Sequence, residues 1–300
     1  MGRRGGGHDG PDGLVVVDKP AGWTSHDVVA KSRGLLGTRK VGHAGTLDPD
    51  ATGVLLLGVG RATKLLRFLS PLGKSYVGEV VLGTETSTLD DAGEVTASHD
   101  MVGTTLDQVR VAAEAFVGDI TQIPPMVSAV KVDGKRLHQL AREGKEVERQ
   151  PRPVTIRSLE VTEGPIGEPL VFTMAVSCSS GTYVRMLAAD LGTALGGGAH
   201  LRNLRRTAVG PYTLDDAVPL EQVGPEVVRP MIEAVRHLER VDVDEEVAAA
   251  VAVGKVLDRA VLGVGPGDGP WAVVGEGERL LAVYEPFRGD TTKPSLVIPT

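Results

Sequence analysis

From Leu14 to Val209, apolar runs of strand length alternate irregularly with segments of helical spacing, and this constrains the fold more than any other feature. Leu14–Val17, Gly53–Val59, Ser75–Leu82 and the stretches near 154–162 and 169–178 read as strands bounded by turn residues. Between them, Ser25 resembles a helix N-cap, with Asp27 in the first turn and Val28, Val29 and Leu35 at helical spacing. Arg61–Leu69 carries Leu65, Leu66 and Leu69 on one side, and further helices are expected around Leu106–Phe116 and Tyr183–Leu195. A regular strand–helix alternation would give a doubly wound parallel sheet. This irregular order predicts an α+β sheet domain instead.

The chain divides by composition. Residues 1–12 are a glycine-rich tail without the apolar stretch of a secretory signal. Residues 13–238 read as the main domain, interrupted at about 124–153 by a basic segment with prolines at both ends, a short helix near Leu137–Arg142 and the character of a projecting insertion. Residues 239–300 begin with a Val/Ala-rich helix over 245–253, followed by Gly-rich turns and short strands at 271–275, 279–284 and 295–298, a small β-rich module. The apolar content of 41% supports a sizeable core. No apolar run reaches the roughly 18 residues of a membrane span. Cys178 is the only cysteine, which excludes an intrachain disulfide and a multi-cysteine metal site, and its apolar neighbours make it a buried structural thiol. Together these features predict a cytoplasmic protein.

The net charge of -7 argues against a polyanionic partner until its distribution is read. Residues 1–75 hold eleven Lys/Arg against six Asp/Glu, residues 131–157 hold eight against four, and residues 200–206 add three arginines. Acidic residues concentrate in 76–130 and 213–300. Local basic stretches, not net charge, make a footprint for phosphates.

Four segments carry candidate chemistry. DKPAGWTS (Asp18–Ser25) links a strand to a helix. GHAGTLDPDATG (Gly42–Gly53) places Asp48 before a proline, which restricts it to extended geometry and holds its carboxylate outward. Lys74-Ser75-Tyr76 opens a strand. SGTYVRML (Ser180–Leu187) sets Arg185 among apolar neighbours, where a cation requires a carboxylate, and Asp48 is a candidate. The scattered histidines include no HxxxH pair, and no GxxxxGK[ST] loop is present, so neither a metal, nor ATP, nor any other cofactor is expected. A glycosidase built on Asp48 and Asp50 would leave the other segments unexplained. A non-catalytic RNA-binding module would not need Asp48, Tyr76 and Arg185 together.

In order, DKPAGWTSHDVV, GHAGTLDPDATGVLLLGVGRATK, KSYVGEVVLG, SSGTYVRMLAADLG and LRNLRRTAVG resemble the motif set of the TruB family of bacterial tRNA pseudouridine synthases, over about residues 13–210. The insertion resembles that family's RNA-gripping thumb loop and is expected to be mobile without RNA. The resemblance implies a pseudouridine synthase fold, with a mixed, mostly antiparallel central sheet flanked by helices and a C-terminal PUA-like domain. It implies a cofactor-free isomerase acting on uridine 55 of the tRNA T loop, as a monomer with no obligate protein partner. Asp48 matches the family nucleophile. Arg185 matches the arginine that keeps that carboxylate ionised. Tyr76 matches the tyrosine that stacks on the base and assists proton removal at C5. His43 matches the histidine that fills the space left by the flipped base. Gly45, Leu47, Tyr183, Leu204 and Arg205 fall in the same motifs as substrate-binding positions, with Leu204 near the base. Lys19, Lys64 and the thumb residues Lys131, Lys135 and Arg136 are expected phosphate contacts. The acidic turn TETSTLDDAG resembles a family loop more distantly and is slightly longer, and its acids are expected near the RNA.

Overall fold

The computed structural model describes residues 10–125, 131–132, 135–136, 147–267 and 269–299, with backbone alone at 131–132 and 135–136. In chain order the strands that position the site are β1 (Gly13–Lys19), β2 (Val41–Ala44), β3 (Thr52–Val59), β4 (Lys74–Leu82), β5 (Thr84–Thr86), β6 (Val95–Ser98) and β7 (Gly118–Gln122). After these come β8 (Lys131–Val132), β9 (Lys135–Arg136), β10 (Arg152–Glu163), β11 (Val171–Cys178), β12 (Ala199–Val209), β13 (Tyr212–Thr213) and β14 (Val218–Pro219). The C-terminal strands are β15 (Glu239–Asp242), β16 (Leu257–Asp258), β17 (Trp271–Gly275), β18 (Arg279–Pro286) and β19 (Thr291–Val297). The α-helices are α1 (Ser25–Leu35), α2 (Leu66–Leu69), α3 (Leu106–Glu114), α4 (Val184–Ala194), α5 (Glu245–Ala252) and α6 (Arg259–Leu262).

The chain folds into two compact units that do not follow chain order. One comprises residues 1–49, 53–70 and 210–300, the other residues 50–52 and 71–209. In the first, β1 runs antiparallel to β3, with Val15 opposite Leu57 and Val17 opposite Leu55, and parallel to the short β14. Valine and leucine fill both strands because both faces are covered. Val28 and Val29 of α1 pack on Val15, Val17, Leu55 and Leu57, with Leu220 and Val223 completing the cluster. The helix is capped one residue earlier than its sequence suggests. Thr24 is the N-cap, accepting the Asp27 amide at 3.0 Å while Asp27 reaches back to the Thr24 amide. Ser25 is buried and serves the neighbouring loop instead.

The Arg61–Leu69 segment also departs from expectation. Gly60–Leu65 is 3-10 and only Leu66–Leu69 is α-helical. The Thr63 hydroxyl donates to the Gly60 carbonyl at 2.7 Å, a local bond that competes with helical pairing. The C-terminal module of this unit is a five-stranded sheet in the order β15-β17-β18-β19-β16. Its core is Trp271, Tyr284, Val273 and Leu281, with Val251 of α5 packed against them. Arg67 donates to the Ser295 carbonyl at 2.9 Å, and Arg61 donates to the Pro299 carbonyl, so the 3-10 and α2 segment is tied to β19 and the residues after it.

The second unit is an antiparallel sheet in the order β12-β4-β11-β10-β7. Along β4 burial alternates, with Lys74, Tyr76, Gly78, Val80 and Leu82 buried and the residues between them more exposed, the pattern of a strand with one covered face. Helix α4 lies so close to β12 that a Cβ at Gly192 would stand 2.5 Å from the Ala199 amide nitrogen. β12 was not legible as a strand, because LRNLRR lacks the apolar run of the other strands, yet it pairs with β4 across most of its length. The mixed, mostly antiparallel sheet flanked by helices and the β-rich C-terminal module agree with the expected fold class. In the insertion, β8 and β9 pair, with Lys131 opposite Arg136. The side chains of Lys131, Lys135 and Arg136, and the helix expected near 137–142, lie outside the described residues.

Candidate active site

Asp48 belongs to the first unit, on a loop entered from β2 and left through β3. β2 pairs with β3, His43 opposite Leu57 and Ala44 opposite Leu56. Gly45 has φ +78, so the turn out of β2 uses a left-handed conformation that glycine adopts without penalty. The residues on both sides of Asp48 are anchored by side chains from distant sequence. On one side, the Ser25 hydroxyl accepts the Leu47 amide at 2.9 Å and donates to the Leu47 carbonyl at 3.2 Å. On the other, the Lys19 ammonium donates to the Pro49 carbonyl at 2.7 Å, and the Gly22 amide to the same oxygen at 3.0 Å. Asp48 itself is half-buried. His43 is half-buried and makes an edge contact with His26, ring centroids 5.2 Å apart. Lys64 is exposed on the 3-10 segment, as a phosphate contact requires.

Two expectations are corrected here. Lys19 is 0% exposed, with its ammonium on the carbonyls of Pro20, Trp23 and Pro49. It is a structural cation that holds the Asp48 loop, not a surface phosphate contact. Leu47 is 4% exposed and its side chain belongs to the core, so it anchors the loop rather than presenting itself to a substrate. The bond from Ser25 to a residue 22 positions away leaves no signal in the sequence.

The second unit carries Tyr76, Tyr183, Arg185, Leu204 and Arg205. Tyr76 lies on β4 opposite Val176 of β11 and Arg206 of β12, and is 8% exposed. Arg206 is 0% exposed. Burial pushes its guanidinium pKa down, and its hydrogen bond to the Tyr76 phenol works against that shift. Lys74, two residues before Tyr76, is pushed down to about 8 by burial and by the charge of Arg206. Leu204 is half-buried, just beyond Asn203, whose φ of +53 marks the bulge between Arg202 and Arg205. Glu79 holds that bulge, accepting from Arg202 at 2.6 Å and from Asn203 at 3.0 Å. Arg205 donates to the Thr52 hydroxyl at 3.3 Å.

Arg185 sits in the first turn of α4 and is buried. The buried Gln122 amide fixes the start of that helix, accepting the Tyr183 amide at 2.9 Å and donating to its carbonyl at 3.2 Å. Arg185 Nη1 donates to the Thr88 carbonyl at 2.8 Å and lies 3.4 Å from Asp90 Oδ2. Thus the acidic turn supplies a carboxylate to Arg185 through Asp90, and its neighbour Asp91 faces His200. Gln122 carries no motif signal, and the acids of this turn, expected near the RNA, instead pair with Arg185 and His200; the partners of all these residues lie 61 or more positions away. Cys178 is buried and its thiol pKa is raised by burial, which leaves it inert. Among the described residues no group of three or more His, Cys, Asp or Glu side chains could hold a metal ion.

Asp48 stands on a doubly anchored loop, Tyr76 on a strand and Arg185, buried, on a helix, and the fold that carries them defines the class of protein. A chain in the crystal structure of a Cbf5-Nop10-Gar1 complex is 28% identical, with a TM-score of 0.71 over 96% of this chain and 84% of that one. The fold is that of a pseudouridine synthase. A model of the TruB family pseudouridylate synthase N-terminal domain matches residues 33–184, and one of the tRNA pseudouridylate synthase B C-terminal domain matches residues 185–241. A tRNA pseudouridine synthase B of Streptomyces griseus is 49% identical over 287 residues, 93% of this chain and 95% of its own. One of Rhodococcus jostii is 57% identical over 219 residues, 71% of each chain. The chain therefore belongs to the TruB family of pseudouridylate synthases, which are isomerases.

Proposed function

We propose that this chain isomerises uridine 55 in the T loop of tRNA to pseudouridine, with Asp48 as the nucleophile. The reaction breaks the bond from C1′ to N1 and forms one from C1′ to C5. The proton that leaves C5 is balanced by the one that N1 acquires, so no co-reactant is consumed. A carboxylate that bonds transiently to the nucleotide divides this rearrangement into easier steps. The observation that carries the reading is the anchoring of the loop on both sides of Asp48, by Ser25 on Leu47 and by Lys19 on Pro49. Such support holds a nucleophile to one geometry, where a mobile loop would lose rate.

In this reading Arg185 supplies the positive charge that keeps the carboxylate ionised. Tyr76 stacks on the base and takes part in proton removal at C5. The target uridine is flipped out of its loop at a cost of about a few kcal/mol. His43 fills the vacated space and Leu204 packs near the base. Gly45 lets the loop turn close to the nucleotide, Tyr183 lies beside it, and Arg205, Lys64 and the thumb cations Lys131, Lys135 and Arg136 meet the phosphates. Residues 239–300 act as a PUA-like RNA-binding module, and the enzyme works in the cytoplasm as a monomer without a cofactor.

The test is conversion of an unmodified tRNA transcript by purified protein with no added cofactor, read by carbodiimide mapping of pseudouridine. Wild type converts the T-loop uridine, and Asp48→Asn lowers conversion at least about 1000-fold while still binding tRNA. Tight binding by both proteins with no conversion by either would sink the catalytic reading.

A further inference from the structure

We propose that His200 is a positioning residue for Arg185, acting through the turn between Thr84 and Gly93. The inference rests on the reading of Arg185 as part of the catalytic machinery.

His200 lies near the start of β12, 7% exposed. Its Nδ1 is 2.8 Å from the Thr84 carbonyl oxygen, and its Nε2 is 2.9 Å from Asp91 Oδ1. The two partners stand at opposite ends of the turn. A rigid ring that grips both ends sets their separation, which a flexible side chain would not do. The next residue of β12 holds the middle. The Leu201 amide donates to the Leu89 carbonyl at 3.0 Å, and Asp90 forms a bridge with Leu201.

The turn is also built to transmit that constraint. Leu89 has φ +64, a left-handed conformation costly for a leucine, which persists only where the surroundings enforce it. The Thr86 hydroxyl donates to the Asp90 carbonyl at 2.7 Å, and the Thr88 hydroxyl donates to the Asp90 carboxylate. The product of this bracing is one placed carbonyl and one placed carboxylate, and both face Arg185 Nη1, at 2.8 Å from Thr88 and 3.4 Å from Asp90. His200 touches neither Arg185 nor a reacting atom in this arrangement. It fixes the frame on which the partners of Arg185 are mounted. A buried imidazole between two acceptors, on the strand that pairs with Tyr76, has no packing role that a leucine could not fill more cheaply.

Three variants test the inference. His200→Leu removes both grips. Asp91→Ala removes one from a residue about half exposed, so it leaves folding undisturbed. Arg185→Lys supplies the background. Two readouts are needed. The first is amide hydrogen exchange at Leu89 and Gly93, which does not depend on activity. Exchange about tenfold faster in His200→Leu and Asp91→Ala is expected, and unchanged exchange in both overturns the brace. The second is tRNA conversion. His200→Leu is expected to lower kcat about tenfold or more with KM changed less than about threefold, and Asp91→Ala to lower kcat by a smaller factor. In the Arg185→Lys background, His200→Leu adds less than about a twofold loss, because its effect runs through Arg185. If the two losses multiply, His200 acts by another route and the inference is wrong. If His200→Leu does not fold, wild-type kcat and wild-type exchange in Asp91→Ala overturn it equally. A wild-type protein that converts no uridine instead defeats the functional reading, and the exchange experiment still decides whether His200 braces the turn.

Discussion

Lys74 is an ammonium held where ammonium is disfavoured. Burial and the neighbouring Arg206 push its pKa down from 10.5 to about 8, while its Nζ donates to the Leu72 carbonyl at 2.7 Å. Because the folded pKa lies below the unfolded one, the unfolded chain binds the proton more tightly. The penalty on folding is complete below pH 8, fades between pH 8 and 10.5, and is absent above. Lys74→Met is therefore expected to be more stable than wild type at pH 7, by about 1–2 kcal/mol after loss of the bond to Leu72. Its advantage shrinks as pH rises from 8 to 10.5, which thermal unfolding of both proteins across that range would show. An advantage that stays constant with pH would mean that Lys74 is not the titrating group. Lys19 illustrates the contrast. It too is buried, but three carbonyls receive its protons, and at that position the cation is part of the architecture.

Helices and strands carry the site only as well as they are spaced. Helix α4 presents Arg185, and its distance from β12 is set by Gly192. A Cβ there would meet the Ala199 nitrogen at 2.5 Å and the Gly198 carbonyl carbon at 2.6 Å, and backbone cannot yield as a side-chain tip does. Gly192→Ala is expected to cost about 1–3 kcal/mol by overpacking, despite the higher helix propensity of alanine. A denaturant midpoint equal to wild type would refute that. The same element-scale logic separates what was readable here from what was not. The apolar runs of β1, β3, β4 and β11 and the helical spacing of α3 and α4 were legible, since burial on a regular element leaves a period in the residues. β12 was not, because Arg202, Arg205 and Arg206 obscure that period, and it is pairing within the sheet, with β4 along most of its length, that makes it a strand.

The charge of the whole molecule shapes its encounter with RNA. A net charge of -7 repels a polyanion at long range, so affinity must come from basic stretches that act within a Debye length. Binding is expected to weaken steeply with salt. Neutralising the exposed Lys64 should lower the magnitude of the slope of log K against log salt by roughly 0.7–0.9, without changing which uridine is modified. An unchanged slope would remove Lys64 from the phosphate contacts. Filter binding at several salt concentrations suffices. No helix among the described residues is long and apolar enough to cross a membrane.

From the amino-acid order alone, the α+β class, the β-rich C-terminal module and the family could be read, together with the motifs that contain Asp48, Tyr76 and Arg185. Such features are local, carried by periodicity and by short motifs whose spacing is set along the chain. The supports of those residues came only with the tertiary structure. Ser25 and Lys19 anchor the loop of Asp48. Gln122 fixes the helix start beside Arg185, Thr88 and Asp90 hold the arginine itself, and His200 grips the turn that carries both. Most of these bonds join residues from 22 to more than 100 positions apart. A buried polar group must find a partner wherever the fold brings one within about 3 Å, and no pattern along the chain records which partner that will be.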